Sequence, residues 1–230
     1  MNLLEKERLI ADAAERYEHA PVEELLAFAV DKFPSIVLAC SFGAEDVVLV
    51  SLLQQIRPGT DIFYLDTDYH FQETYETRDR LADRYGIQFI QVKSELTPEE
   101  QAKQYGDELW KRDPNLCCNL RKVAPLTKVL GKYDAWITGI RRDQAPTRAN
   151  AKKVEYDTKF GLVKFNPLAN WTSDDVWSYI RKHNVPYNPL HDRNYPSIGC
   201  EYCTRPVAPG EDPRAGRWSG TEKIECGLHK

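Results

Sequence analysis

Four of the six cysteines in this chain fall in two short motifs: Cys117 and Cys118 side by side in NLCCNLRK, and Cys200 and Cys203 as CxxC in SIGCEYC. The CxxC spacing lets two thiolates meet one metal centre, and the vicinal pair brings the donor set to four. Four thiolates suit either Zn²⁺ or an iron–sulfur cluster. Neighbouring side chains diverge, so adjacent cysteines are an awkward chelate for one small ion. A cubane offers several iron atoms, and each vicinal thiol can take its own. The spacing therefore favours [4Fe–4S] over zinc.

Cys226 stands apart, in the C-terminal EKIECGLHK. A structural thiol is usually buried, whereas this one lies among charged residues near the chain end, where an exposed and mobile position is expected. His229 and Lys223 favour its thiolate, the nucleophilic form. A reactive thiol and a stray surface cysteine are both compatible with this setting. Cys40, at the end of an apolar run, is expected to be a small core residue. Disulfides suit oxidising compartments. The N-terminal MNLLEKERLI carries charges where a secretory signal would be apolar, and no apolar run approaches a membrane span. A cytoplasmic location with reduced thiols and no membrane partner is expected.

Net charge is −4, which disfavours non-specific nucleic-acid binding but permits a local anion site. In RRDQAPTRANAKK, Arg141, Arg142, Arg148, Lys152 and Lys153 face only Asp143. That stretch reads as a solvated loop or as an anion clamp.

These groups must be positioned by regular elements. Apolar periodicity predicts helices over 2–17 and 21–32, with Pro21 at a helix start. The runs 35–40, 61–67, 87–92, 134–140 and 162–168 read as strands. Helices are expected over 46–56, 71–85, 98–110, 120–131 and 173–183, the last capped by Thr172 or Ser173. Strands alternating with helices predict an α/β fold, a parallel sheet with helices on both faces. Residues 1–186 read as a nucleotide-binding α/β domain with N-terminal helices. Residues 187–230, proline-rich and without long apolar periods, read as an irregular segment carrying the CxxC and the tail.

Ligands of open α/β sheets bind at the carboxyl ends of the strands. SFGAED (41–46), LDTDYH (65–70) and TGIRRDQAPTR (138–148) all fall there. SFGAED joins a strand to a helix, where backbone N–H groups and the helix N-terminus can face an anion. It is neither a Walker loop nor GxGxxG. It is similar to the pyrophosphate loop of adenine-nucleotide α-hydrolase-like (PP-loop) proteins, with fewer glycines.

Taken together, SFGAED, LDTDYH, CC followed by RK, TGIRRDQAPTR, CxxC, DPRAGRW and the terminal ECGLH resemble the sulfonucleotide reductases, and within them the cluster-bearing assimilatory adenylyl-sulfate branch. Many relatives have Gly after LDT, where this chain has Asp68. The resemblance implies a [4Fe–4S] cluster on Cys117, Cys118, Cys200 and Cys203 that does not cycle electrons. It implies that Cys226 attacks the sulfur of adenylyl sulfate, AMP leaves, and thioredoxin releases sulfite from the S-sulfocysteine. Lys122, Arg148, Arg214 and Arg217 would offset the repulsion between two anions, and His229 would orient or activate the tail. Ser41, Phe42 and Gly43 would hold the phosphosulfate end, with Leu65, Asp66 and Gly139 beside the adenosine. Asp66 would accept from the ribose or from a neighbouring loop.

Three rival readings remain. Phosphoadenylyl sulfate, as sole or second substrate, would need a further cation for its 3′-phosphate, from Lys152, Lys153 or the N-terminal side of the site. An ATP pyrophosphatase that thiolates RNA would carry an SGGxDS loop, where this chain has Phe42 and Asp46. A nucleotide sensor would leave ECGLH without a purpose. A homo-oligomer is compatible with all of them.

Overall fold

The computed structural model describes residues 3–228. Helices α1 (Leu3–Arg16) and α2 (Val22–Lys32) precede strand β1 (Ile36–Ala39), which leads into α3 (Ala44–Ile56). The alternation continues through β2 (Asp61–Asp66), α4 (Gln72–Tyr85) and β3 (Ile90–Lys93). Short helices α5 (Pro98–Tyr105), α6 (Leu109–Arg112) and α7 (Pro114–Cys118) follow. A π turn, Asn119–Val123, joins α7 to α8 (Ala124–Leu130). Then come β4 (Ala135–Ile137), β5 (Val154–Asp157), β6 (Leu162–Phe165) and α9 (Ser173–His183).

The six strands form one sheet in the order β3-β2-β1-β4-β6-β5. The five expected strands are mutually parallel, and β5 adds an antiparallel edge against β6. Side chains alternate across the sheet with period two. Ile36 and Leu38 of β1, with Ala135 and Ile137 of β4, enter the larger core beneath α1, α2, α3 and α9. Val37, Phe63 and Trp136 point to the opposite face, against Leu126, Val129 and Leu130 of α8. α3 is buried along most of its length, which is why its apolar residues show little helical periodicity. Thr172 caps α9 reciprocally with Asp175.

β5 went unread in the sequence because VEYD carries two acidic residues, as an exposed edge does. The helix expected over 98–110 stops at Tyr105, where Gly106 takes φ 84°, and the chain from there to residue 120 shows no clear period. There α6 and α7 hold only four and five residues, too short for periodicity to show. From residue 187 onward the chain makes short 3₁₀ turns and isolated bridges. Among the described residues, no helix is long and apolar enough to cross a membrane.

Leu38 is fully buried between helices and sheet. Leu38→Ala should lower the unfolding free energy by about 3 kcal/mol, read as a fall in the urea midpoint with unchanged slope.

Candidate active site

The carboxyl ends of β1, β2 and β4 open into a cavity of ≈ 1100 Å³. Its floor is the loop after β1. Phe42 takes φ 61°, a left-handed conformation that is costly for a bulky residue. Its ring is anchored between Tyr64 and Phe89, with centroids 5.4 and 5.2 Å away. Ser41 turns inward: its N–H and Oγ both donate to Asp46 Oδ2 at 2.6 Å. Asp46 thus takes up donors that the sequence assigned to an incoming anion. Burial raises the Asp46 carboxyl to about 6, against the two Ser41 bonds. Gly139 faces it from the end of β4, where a Cβ would come within 2.2 Å of Asp46 Oδ1.

The loop after β2 separates two roles. Leu65 lines the cavity. Asp66 does not: it is 3% exposed and accepts from Tyr75 OH at 2.7 Å, the Asp68 N–H at 3.0 Å and Gln91 Nε2. Its partners are a helix residue of α4, a strand residue of β3 and an amide of its own loop. Asp68 sits at φ 59°, a left-handed conformation that Asp tolerates better than most residues. Its carboxylate meets Arg121 Nη1 at 3.1 Å.

The same loop holds the CxxC segment. His70 and Cys200 form an antiparallel bridge, Glu201 N–H donates to Tyr69 O at 2.7 Å, and Thr67 Oγ1 lies 3.3 Å from Cys200 Sγ. α7 starts at Pro114 with Asp113 capping two amides, and it brings up Cys117 and Cys118. The four thiols border one small cavity with Tyr69, Trp110, Tyr202 and Trp218. Arg121 borders it too, and its Nε and Nη2 are buried without a hydrogen-bond partner. Burial pushes the Cys117 and Cys203 thiols up to about 12 and about 11. Cys200 is the exception: Lys122, Thr67 and Arg217 outweigh its burial and lower it. Among the described residues, no group of three His, Cys, Asp or Glu side chains is disposed to hold a single metal ion. A set of four thiols with orphaned cationic N–H groups beside it suits a larger, anionic group that spreads its ligation points.

The π turn carries Arg121 and Lys122. Its wider backbone ring is a device that recurs at functional sites. Arg121 lies on the thiol cavity, while Lys122 lines both cavities. Burial works against the Lys122 charge, but the thiols of Cys200, Cys118 and Cys226 around it hold its pKa above the ordinary range.

Arg148, Arg214, Arg217 and Cys226 also line the large cavity. Arg217 Nη1 donates to Ser197 Oγ at 3.3 Å and Ile198 O at 3.1 Å, and its Nε is buried without a partner. The guanidinium packs closely over Gly199, where a Cβ would come within 2.2 Å of Arg217 Nη2 and displace it. Cys226 departs from the expected mobile surface position: it is half-buried on the cavity wall. The tail is docked by Lys223 Nζ on Asn115 Oδ1, by Lys159 Nζ on Gly227 O, and by Leu228 against the smaller core. Cys40 is buried, as expected. His229 lies outside the described residues. Lys152 and Lys153 do not line the cavity. Lys153 is 1% exposed and donates to Ala20 O at 3.0 Å.

Fold and site together define an α/β nucleotide-binding protein with a thiol and several cations at one strand-end cavity. The family model described as the phosphoadenosine phosphosulfate reductase domain matches residues 35–206, and the chain belongs to this family, the sulfonucleotide reductases. It is similar to the adenosine 5′-phosphosulfate reductase of Halalkalibacterium halodurans, 59% identical over 196 residues, covering 85% of each chain. It is also similar to adenosine 5′-phosphosulfate reductase 2 of Bacillus subtilis, 56% identical over 85% of this chain and 83% of the relative. Among solved structures, the phosphoadenylyl-sulfate reductase of Candida auris in its phosphate complex superposes with a TM-score of 0.77 at 31% identity, over 85% of this chain and 96% of that one. The FMN adenylyltransferase of Candida glabrata, at 18% identity and a TM-score of 0.55 over 90% and 76%, shares the fold alone.

Because the folded Asp46 pKa is raised, the neutral carboxyl favours the fold. Its contribution is complete below the unfolded value of about 4 and is lost as pH rises through about 6. Asp46→Asn should therefore gain stability relative to the native protein as pH rises through that window, in paired urea titrations. Sulfate should also bind the native protein more tightly below pH of about 6, with a flatter profile in the variant.

Proposed function

We propose that this chain reduces adenylyl sulfate to sulfite and AMP in the cytoplasm, as a step of assimilatory sulfate reduction, with Cys226 as nucleophile and thioredoxin as reductant. The observation that carries this reading is the placing of Cys226 on one cavity wall with Lys122, Arg148, Arg214 and Arg217, at the strand ends where the adenosine is expected. The names of the relatives support the substrate class.

The chemistry divides into two displacements. The Cys226 thiolate attacks the sulfur of adenylyl sulfate. A sulfur–sulfur bond forms, the bond from sulfur to the bridging oxygen breaks, and AMP leaves with that electron pair. A thioredoxin thiolate then attacks Cys226 Sγ, and sulfite departs with the electrons of the sulfur–sulfur bond. The second thioredoxin thiol resolves the mixed disulfide, so the dithiol supplies both electrons and Cys226 is regenerated.

The obstacle lies in the first step, where two anions approach. At about 4 Å a pair of like charges costs roughly 4 kcal/mol in a partly buried site. A guanidinium or ammonium facing the sulfate removes a penalty of that size. The planar forks of Arg214 and Arg217 match sulfonyl oxygens, and Lys122 sits where it can serve both the thiolate and the sulfate. Cys117, Cys118, Cys200 and Cys203 would hold a [4Fe–4S] cluster, which would supply a fixed charge and a link between two distant segments. The names of the relatives favour adenylyl sulfate over its 3′-phosphorylated form.

Mixing the protein with adenylyl sulfate alone should leave an adduct of sulfonate mass on the Cys226 peptide, and Cys226→Ser should make no sulfite. Native-rate sulfite from that variant would overturn the reading. Lys122→Ala should slow adduct formation by about a hundredfold while AMP affinity changes only several-fold; equal losses would count against its role. Anoxically purified protein should carry on the order of four irons and four sulfides per chain, and Cys200→Ser should lose them.

A further inference from the structure

Glu225 is 7% exposed although it lies among the last residues of the chain. Its Oε1 accepts from Thr147 Oγ1 at 3.1 Å and from Arg148 Nε at 3.0 Å. Its Oε2 accepts from Arg148 Nη2 at 3.0 Å and from Arg214 Nη2 at 3.1 Å. The Arg148 contact is a two-bond fork, which fixes direction as well as distance. Arg214 Nη2 also donates to Ile224 O at 3.1 Å, so the backbone just before Glu225 is gripped by the same guanidinium. Burial works against the carboxylate, but Arg148 and Arg214 outweigh it and keep the group ionised. The other polar anchors of the tail, Lys223 on Asn115 and Lys159 on Gly227, are exposed, where such contacts contribute little.

The next residue is Cys226. Cys226 lies in a segment with no helix or strand to aim it, and misplacement of a nucleophile by about 1 Å can cost on the order of a hundredfold in rate. The buried clamp one residue earlier removes that freedom. It also places a negative charge between two of the cations that line the nucleotide cavity.

We propose that Glu225 is the positioning residue of the reaction: its carboxylate, held by Arg148, Thr147 and Arg214, docks the tail so that Cys226 faces the cavity, and it balances part of the charge of the cationic wall. This rests on Cys226 being the nucleophile. The two consequences have opposite signs. Removing the charge releases the tail and slows attack, while it frees two arginines and leaves anion binding unchanged or stronger. A residue that only stabilised the fold would lower both.

The test compares native protein, Glu225→Gln and Glu225→Asp, each with its full metal content. Single-turnover formation of S-sulfocysteine at Cys226 should fall by about a hundredfold in Glu225→Gln. AMP affinity should be equal or higher, and Glu225→Asp should recover part of the rate. Alkylation of Cys226 by the neutral reagent iodoacetamide should be at least about tenfold faster in Glu225→Gln. An unchanged single-turnover rate, or AMP affinity falling in step with the rate, would overturn the inference. Absence of any adduct on Cys226 in the native protein would instead sink the proposed reaction. The alkylation comparison would then decide tail docking alone, with equal reactivity in native and variant counting against it.

Discussion

Cations crowded into a half-buried cavity repel one another as strongly as each attracts an anion, so a cavity that gathers them must hold each one in place. The site is arranged around that constraint. Arg148 is tied to Gln144 and Glu225, Arg214 to Ile224 O and Glu225, and Arg217 to Ser197 and Ile198 O with its guanidinium 4.5 Å over the Trp218 ring. Lys122 is flanked by thiols. The three arginines are thus held by partners within the protein. An anion entering the cavity would meet oriented charge and would not have to reorganise it, which is the condition under which electrostatic stabilisation is most effective.

The sheet makes this possible by bringing three loops to one edge, and one of those loops does more than line a cavity. The loop after β2 connects the nucleotide side to the thiol side: Leu65 faces the cavity, Asp66 fixes the loop to α4 and β3, Asp68 holds Arg121, and Tyr69 and His70 pair with the CxxC segment. The π turn after α7 does the same from the other direction, with Arg121 on the thiol cavity and Lys122 on both. The thiol cavity and the cationic cavity are thus joined by two connecting segments, the loop after β2 and the π turn. The proposed cluster would act on the reaction through these segments, as a constraint on where Lys122 stands.

The apolar strands and the helices that flank the site were legible in the sequence because burial on both faces leaves a continuous hydrophobic run, and β1, β2 and β4 have one each. The four thiols were legible as a set because CxxC and CC are rare in a chain of ordinary composition. Three features left no such trace. Asp46 turns Ser41 inward, and nothing in SFGAED distinguishes an acidic helix start from a residue that binds its own loop. Cys226 is docked rather than mobile, since the contacts that hold it come from Arg148, Thr147 and Asn115, far away in sequence. Arg121, the residue before the expected Lys122, carries no spacing signal at all; its importance comes from the π turn and from Asp68.

The loop after β1 bears on which chemistry the cavity suits. A glycine-rich SGGxDS loop leaves its backbone N–H groups free to surround a polyphosphate. Here Phe42 is locked between two aromatic rings, and the Ser41 N–H and Oγ are both engaged by Asp46. The positive end of α3 is met by its own first-turn acids, Glu45 and Asp46. Backbone amides can thus offer an incoming anion only part of what a full glycine loop would. The deficit is met by side-chain cations from the β4 loop, the π turn and the segment before the tail. Those cations line the cavity that Cys226 also lines. Side-chain cations that share a cavity with a thiol suit attack at a terminal sulfur, where charge builds up beside the nucleophile.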